Sequence, residues 1–259
     1  KVMVIGGGVA GLSAAFIAKE KGHEVTLYEA GDVLGGNMRL AAYPPGKGDI
    51  TNMIRSYIHR CQKDGVKIVM NCEVTPELIK EEKPDSVIIA TGSKTLILPI
   101  EEIDNPAIIH GSDLLDGKRP AGKKVLVVGG GMVGCETAAF LGEQEHDVTV
   151  IEFRDTVGAD VIHEHRVYLM KDFEDYGIKE ITGAKVCKFY EDGVEYETAD
   201  GVRHETRGYD SVILSMGFRN YNPLEEKIKD LVPETHVIGD AIRARRALDA
   251  TKEAYEVAS

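Results

Sequence analysis

The sequence has no tryptophan and no CxxC pair, and its four cysteines (Cys61, Cys72, Cys135 and Cys187) are scattered. Cysteines so placed encode neither a zinc knuckle nor a local redox disulfide, and a reducing, cytoplasmic setting is expected. Positive charge is scarce: 31 Lys and Arg stand against 43 Asp and Glu, a formal net charge of −12. No basic stripe is available to neutralise a phosphate backbone, which argues against a nucleic-acid or anionic-membrane partner. Long apolar runs are missing too, since the longest, such as Lys124–Val128, stop at glycine far short of a bilayer's thickness. Low-complexity tracts are absent and 43% of the 259 residues are hydrophobic, so one large or two ordinary folded domains are expected. The chain opens on Lys1 directly into a strand-like run and stops within a helical pattern at Leu248–Ser259. It therefore reads as a piece of a longer polypeptide.

What the sequence does contain is a long internal repeat. KVMVIGGGVAG at Lys1–Gly11 returns as KVLVVGGGMVG at Lys124–Gly134, and HEVTLYE at His23–Glu29 returns as HDVTVIE at His146–Glu152. The offset is 123 residues throughout, too long for a solenoid, so two copies of one domain type are expected. Each copy reads as a βαβ unit: a β-branched strand, a glycine turn, a helix, and a second strand ending in an acid. A lone GxGxxG is weak evidence, but strand, helix and acid about 20 residues on make each copy a complete dinucleotide fingerprint.

Each residue type has a physical task in that motif. Gly6 and Gly129 permit the tight turn, Gly8 and Gly131 admit a pyrophosphate, and Gly11 and Gly134 let helix and strand approach closely. N–H groups at the helix start, supported by the helix dipole, face the phosphates. Glu29 and Glu152 are placed to accept hydrogen bonds from adenosine ribose hydroxyls. Glu152 repels a 2′-phosphate and favours NADH over NADPH, while Arg154 is the one nearby residue able to reverse that preference.

Further segments fit the same plan. Lys83–Gly92 reads as a buried strand ending in Ala90-Thr91-Gly92, and Asp210–Gly217 as its counterpart ending in Met216-Gly217. Thr235–Asp240 is a short strand ending in Gly239-Asp240, followed by a helix from about Ala244 to Val257. Asp200-Gly201, between two alternating stretches, reads as a hairpin turn.

The order GxGxxG…E, ATG, GxGxxG…E and late Gly-Asp resembles the flavoproteins with two dinucleotide-binding domains, over essentially the whole chain. The resemblance implies an α/β fold of two nested Rossmann-like domains with mainly parallel sheets. A FAD domain at 1–107 and 220–259 would enclose an NAD(P)H domain at 108–219. It also implies that Gly6, Gly8, Ala10, Gly11, Glu29, Ala30, Gly36, Asn37, Arg39, Val74, Ala90, Thr91, Gly92, Gly239 and Asp240 serve FAD. For NADH it implies Gly129, Gly131, Met132, Val133, Gly134, Glu152, Arg154, Met216 and Gly217. Hydride transfer between nicotinamide and flavin needs no general base, so no catalytic side chain is expected.

The branch is marked by Gly35-Gly36-Asn37 through Pro45-Gly46 together with Gly239–Ala250. These segments are similar to the C-terminal half of the old-yellow-enzyme-like NADH:flavin oxidoreductases, the group of 2,4-dienoyl-CoA reductase and trimethylamine dehydrogenase. Cysteine pairs of the disulfide reductases are missing. The resemblance implies an upstream barrel carrying FMN and a 4Fe-4S cluster, to which this chain passes electrons from NADH through FAD, a small molecule being the final substrate. Two other readings stay open: a free-standing NADH-dependent reductase of a protein acceptor, and a non-redox scaffold holding ADP in the first site, as in the trimethylamine dehydrogenase branch.

Three tempting features have plainer readings. His163 and His165 diverge on a helix and read as a solvated face rather than a metal site. Pro45–Gly48 lacks the first glycine and the Ser/Thr of a P-loop. Cys135, at the start of the second fingerprint helix, reads as a small packed residue.

Overall fold

A computed structural model describes the whole chain, Lys1–Ser259. The chain runs through β1 (Val2–Ile5), α1 (Val9–Glu20), β2 (Val25–Tyr28), a 3₁₀ turn (Gly36–Ala42), α2 (Asp49–Lys63), β3 (Lys67–Val69), α3 (Pro76–Glu82), β4 (Ser86–Ile89) and β5 (Ser93–Thr95). Its middle holds β6 (Ile109–His110), α4 (Gly111–Leu115), β7 (Lys124–Val128), α5 (Met132–Glu143), β8 (Asp147–Ile151), α6 (His163–Asp175) and β9 (Lys179–Ile181). Next come β10 (Lys185–Tyr190), β11 (Gly193–Glu197), β12 (Arg203–Thr206) and β13 (Ser211–Leu214). β14 (Phe218–Asn220), α7 (Glu225–Ile228), β15 (Glu234–Val237) and α8 (Ala247–Ala258) close the chain.

These elements form two compact units, one of Lys1–Ala42, Lys47–Lys94 and Phe218–Ser259, the other of Tyr43–Gly46 and Thr95–Gly217. Each is organised round a five-stranded sheet, ordered β15-β4-β1-β2-β3 in the first and β6-β13-β7-β8-β9 in the second. Every pairing in both sheets is parallel. The repeat thus extends from the motifs to whole sheets, with β1 and β7 at the two centres. One strand changes its source: the late β15 completes the first sheet, whereas β6, ahead of its glycine motif, completes the second. The return from the outer strand differs as well, through α3 in the first unit and through the antiparallel β10-β11-β12 in the second.

The unit boundaries fall at other positions than the 107/108 and 219/220 read from the sequence. Residues 95–107 go with the second unit because Ile100 and Ile103 pack with Val186, Phe189 and Leu214, and Glu101 bridges to Lys188. That segment has little strand or helix pattern to betray its allegiance.

Local composition explains the elements. All of β1 and Val125–Val128 of β7 are buried, as strands covered on both faces must be. Ten successive residues of α1, Val9–Ala18, are buried, and its small residues allow α8 to lie close. α8 supplies Ala250, Ala254 and Ala258 at a spacing of four, a single alanine face. α3 is capped by Thr75, whose Oγ1 accepts Leu78 N–H at 3.3 Å, starts on Pro76, and ends where Lys83 turns left-handed at φ 47°. The Asp200-Gly201 turn joins β11 to β12 as the sequence reads, with Thr198 N–H on Val202 O at 3.0 Å. No helix is long and apolar enough to cross a membrane.

Candidate functional site

Both glycine turns lie at the carboxyl end of the central strand, where ligands of open α/β sheets bind. Gly6 holds φ +106°, and a Cβ there would come within 2.3 Å of Ala90 O. A Cβ on Gly11 would lie 1.8 Å from Gly6 O, so helix and turn touch backbone to backbone. Gly129 and Gly134 reproduce this, at φ +107° and 1.7 Å from Gly129 O respectively. Gly8 is different. Its φ of −73° suits any residue, and a Cβ would find nothing nearer than Gly36 Cα at 4.0 Å. The chain itself does not require a glycine there; the space beside it is open to a ligand, and no side chain caps the start of α1.

The acids do more than the sequence reading gave them. Glu29 accepts Gly7 N–H and Gly31 N–H, both at 2.7 Å. Glu152 accepts Gly130 N–H at 2.6 Å and Arg154 N–H at 2.9 Å. Each carboxylate therefore staples its glycine turn to the second strand, and each oxygen keeps a lone pair for a ribose hydroxyl.

In the first unit the expected residues converge on one edge. Gly6 meets Ala90, Gly8 bridges to Gly35 beside Gly36, and Gly239 lies against Ala10. Asn37 donates to the carbonyl and hydroxyl of Ser93 at 3.2 Å each, and Ser93 Oγ donates to Asp240 at 2.9 Å. Arg245 N–H reaches the other Asp240 oxygen at 3.1 Å. Glu253 of α8 holds Gly239 N–H at 2.7 Å. Thr91 donates to Tyr221 O, Gly92 has φ +74°, Ala30 follows Glu29, and Arg39 is half-buried on the 3₁₀ turn. Val74 is not brought in by its side chain, which is buried among Met3, Ile5, Tyr28 and Ile79.

In the second unit Gly129 meets Ser215 and Met216, with Gly217 at φ +94°, and Gly131, Met132, Val133 and Gly134 form the start of α5. Arg154 is exposed and its guanidinium is unpaired. Sequence reasoning missed Ser93, Glu253 and Asp160, whose carboxylate accepts Met132 N–H at 2.9 Å. Asp160 had a signal, since it stands 123 residues after Asn37. A cleft of about 400 Å³ lined by Leu114, Phe140 and His146 lies by the far end of α5 from the glycine turn.

The pair His163 and His165 departs from the solvated face expected of it. His163 is exposed, but His165 Nε2 lies 3.1 Å from the buried Glu136 carboxylate and joins α6 to α5. All four cysteines are free. Burial pushes the Cys61 thiol up to about 11 and the Cys135 thiol up to about 12, and both side chains are fully buried. A neutral-pH thiol reagent should therefore label Cys72 and Cys187 in the folded chain and spare Cys61 and Cys135 until denaturant is added. Peptide mapping after a timed maleimide pulse checks this; early modification of Cys135 would contradict its packing.

Residues 1–239 match the family described as pyridine nucleotide-disulphide oxidoreductase, and the chain belongs to that family. It is 34% identical to bilirubin reductase of Mediterraneibacter gnavus, covering all of this chain and 40% of that protein. It is also 34% identical to NADH oxidase of Thermoanaerobacter brockii, again over all of this chain and 40% of the relative. A solved structure of 2-naphthoyl-CoA reductase with 2-naphthoyl-CoA superimposes at a TM-score of 0.94 with 32% identity, over 100% of this chain and 39% of that one. The chain thus spans about two-fifths of the length of these relatives.

Proposed function

We propose that the chain is the electron-input module of a larger reductase, with FAD on the first glycine turn and NADH on the second. In this reading the domains expected at 1–107 with 220–259 and at 108–219 serve FAD and NADH respectively, with limits adjusted to the two compact units. The observation that carries the reading is Gly8: its glycine is demanded neither by backbone angle nor by packing, and is accounted for by a pyrophosphate lying against it. When both nucleotides are bound, they supply the redox chemistry, a hydride passing from nicotinamide to flavin. The chain's own residues bind and orient. Free N–H groups of α1 would hold the FAD phosphates, Glu29 would take the adenosine ribose, and the Asn37–Ser93–Asp240 chain would offer polar groups to the rest of the cofactor. Gly131–Gly134 and Glu152 do the same for NADH.

In this reading the electrons would pass on to a further domain. The matched relatives are more than twice this length, which supports an added domain in the complete protein, and a barrel bearing FMN and an iron–sulfur cluster is the proposed acceptor. The NADH oxidase relative supports NADH as donor. Denaturing the purified chain and identifying what it releases tests the first site. FAD is expected; ADP alone, without visible flavin absorbance, would establish the scaffold reading instead.

Donor preference has its own test. The Glu152 carboxylate opposes a 2′-phosphate, and the unpaired Arg154 is the only cation beside it in sequence. Arg154→Ala should leave the NADH Kd within about twofold and weaken NADPH about tenfold, the loss of one charge-assisted contact. An equal effect on both nucleotides would remove Arg154 from the discrimination.

A further inference from the structure

The two glycine turns are tied to their following loops in the same way. Gly35 N–H donates to Gly7 O at 2.8 Å, and its repeat partner Gly158 donates to Gly130 O at 2.7 Å. Two residues on, the copies part. Asn37 is neutral and turns its amide to Ser93, leaving the start of α1 without a side chain on it. Its counterpart Asp160 carries a carboxylate and lays it on Met132 N–H at 2.9 Å. A Cβ built on Gly131 would meet the two Asp160 oxygens at 3.2 and 3.4 Å, so the acid occupies the space that the absent Cβ vacates. Negative charge is what a helix N-terminus attracts, and here the chain supplies its own.

We propose that Asp160 is an internal competitor for the pyrophosphate of the nicotinamide nucleotide, an affinity-setting residue that must swing aside for the nucleotide to seat. This rests on reading the second turn as the nicotinamide site. Asp160 is exposed, forms no ion pair and makes this single hydrogen bond, so nothing else restrains it from leaving. The asymmetry matches what each site must do. A resident flavin is held once, on a helix start without an internal anion, the Glu29 carboxylate being taken up by Gly7 and Gly31. A nicotinamide nucleotide must arrive and depart in every cycle, and a carboxylate ready to reoccupy the helix start weakens its hold and speeds its exit.

The test is calorimetric titration of the purified 259-residue chain with NAD⁺ and with ADP-ribose, neither of which can reduce a flavin, comparing wild type with Asp160→Asn and Asp160→Ala. Asparagine keeps the size of the aspartate side chain and removes its charge. Both variants should bind both ligands about tenfold more tightly, or about 1.4 kcal/mol. At the same time the ligand-free Tm of Asp160→Ala should fall, because the helix start loses its partner. A residue with a merely structural role would lower Tm and affinity together. Unchanged or weaker binding by folded Asp160→Asn, with wild type binding well, overturns the proposal alone. Failure of wild type and variants alike to bind either ligand overturns the site reading, and the proposal with it.

Discussion

Gly11→Ala should fail to give a stable first unit, and Gly134→Ala should do the same for the second. The added methyl would sit 1.8 Å from Gly6 O in one case and 1.7 Å from Gly129 O in the other. In both, the obstacle is backbone rather than the tip of a flexible side chain, so helix and strand must separate. α1 cannot yield cheaply, because its residues from Val9 to Ala18 are buried between the sheet and the alanine face of α8. Overpacking of this kind belongs to the destabilising tail of single substitutions, roughly 3–5 kcal/mol. Against total stabilities of about 5–15 kcal/mol, that is a large share. A Tm lowered by roughly 10 °C or more, or insoluble expression, is the expected result by circular dichroism or calorimetry. Near wild-type melting for Gly11→Ala would mean that helix and turn lie farther apart than described.

These two glycines also show what a sequence can carry. Their role in close helix–strand approach follows from the motif, and the sheets deliver it in both copies at the same offset. Strands β1, β2, β7 and β8 were legible because apolar β-branched runs between glycine and an acid leave little else to form. Mainly parallel sheets were implied by the resemblance, and the pairings of both five-stranded sheets are parallel throughout. Residues 95–107 were not, since a segment without period shows its allegiance only through partners such as Phe189, distant in sequence. Glu29 and Glu152 were read as ribose acceptors, yet their first hydrogen bonds are to their own glycine turns, a tertiary fact that spacing alone does not reveal. Ser93 and Glu253 carried no motif and became visible only through what they touch, while His165, read as part of a solvated face, is tied to Glu136. Asp160 was within reach, had the repeat been followed past its acids into the loops.

Gly8→Val should produce the opposite phenotype to Gly11→Ala, a folded chain that cannot keep its nucleotide. Gly8 sits at φ −73°, ψ −176°, an extended conformation that valine adopts readily, and beyond its own chain neighbours a Cβ there would meet nothing nearer than Gly36 Cα at 4.0 Å. The stability cost is that of a poorer helix start, about 1 kcal/mol, worth a few degrees in Tm. The cost to a ligand is of another order. A pyrophosphate seated on the first N–H groups of α1 needs direct contact with the backbone, and a branched side chain stands in the way while also shielding the N–H groups from approach. Flavin retained after gel filtration should fall at least 100-fold, about 2.7 kcal/mol or more, with Gly8→Ala intermediate. Melting curves close to wild type are part of the prediction, because they separate lost binding from lost folding. Undiminished flavin in Gly8→Val would remove the first glycine turn from the cofactor site, and a protein that fails to fold would show that the space beside Gly8 is needed by the chain and not by a ligand.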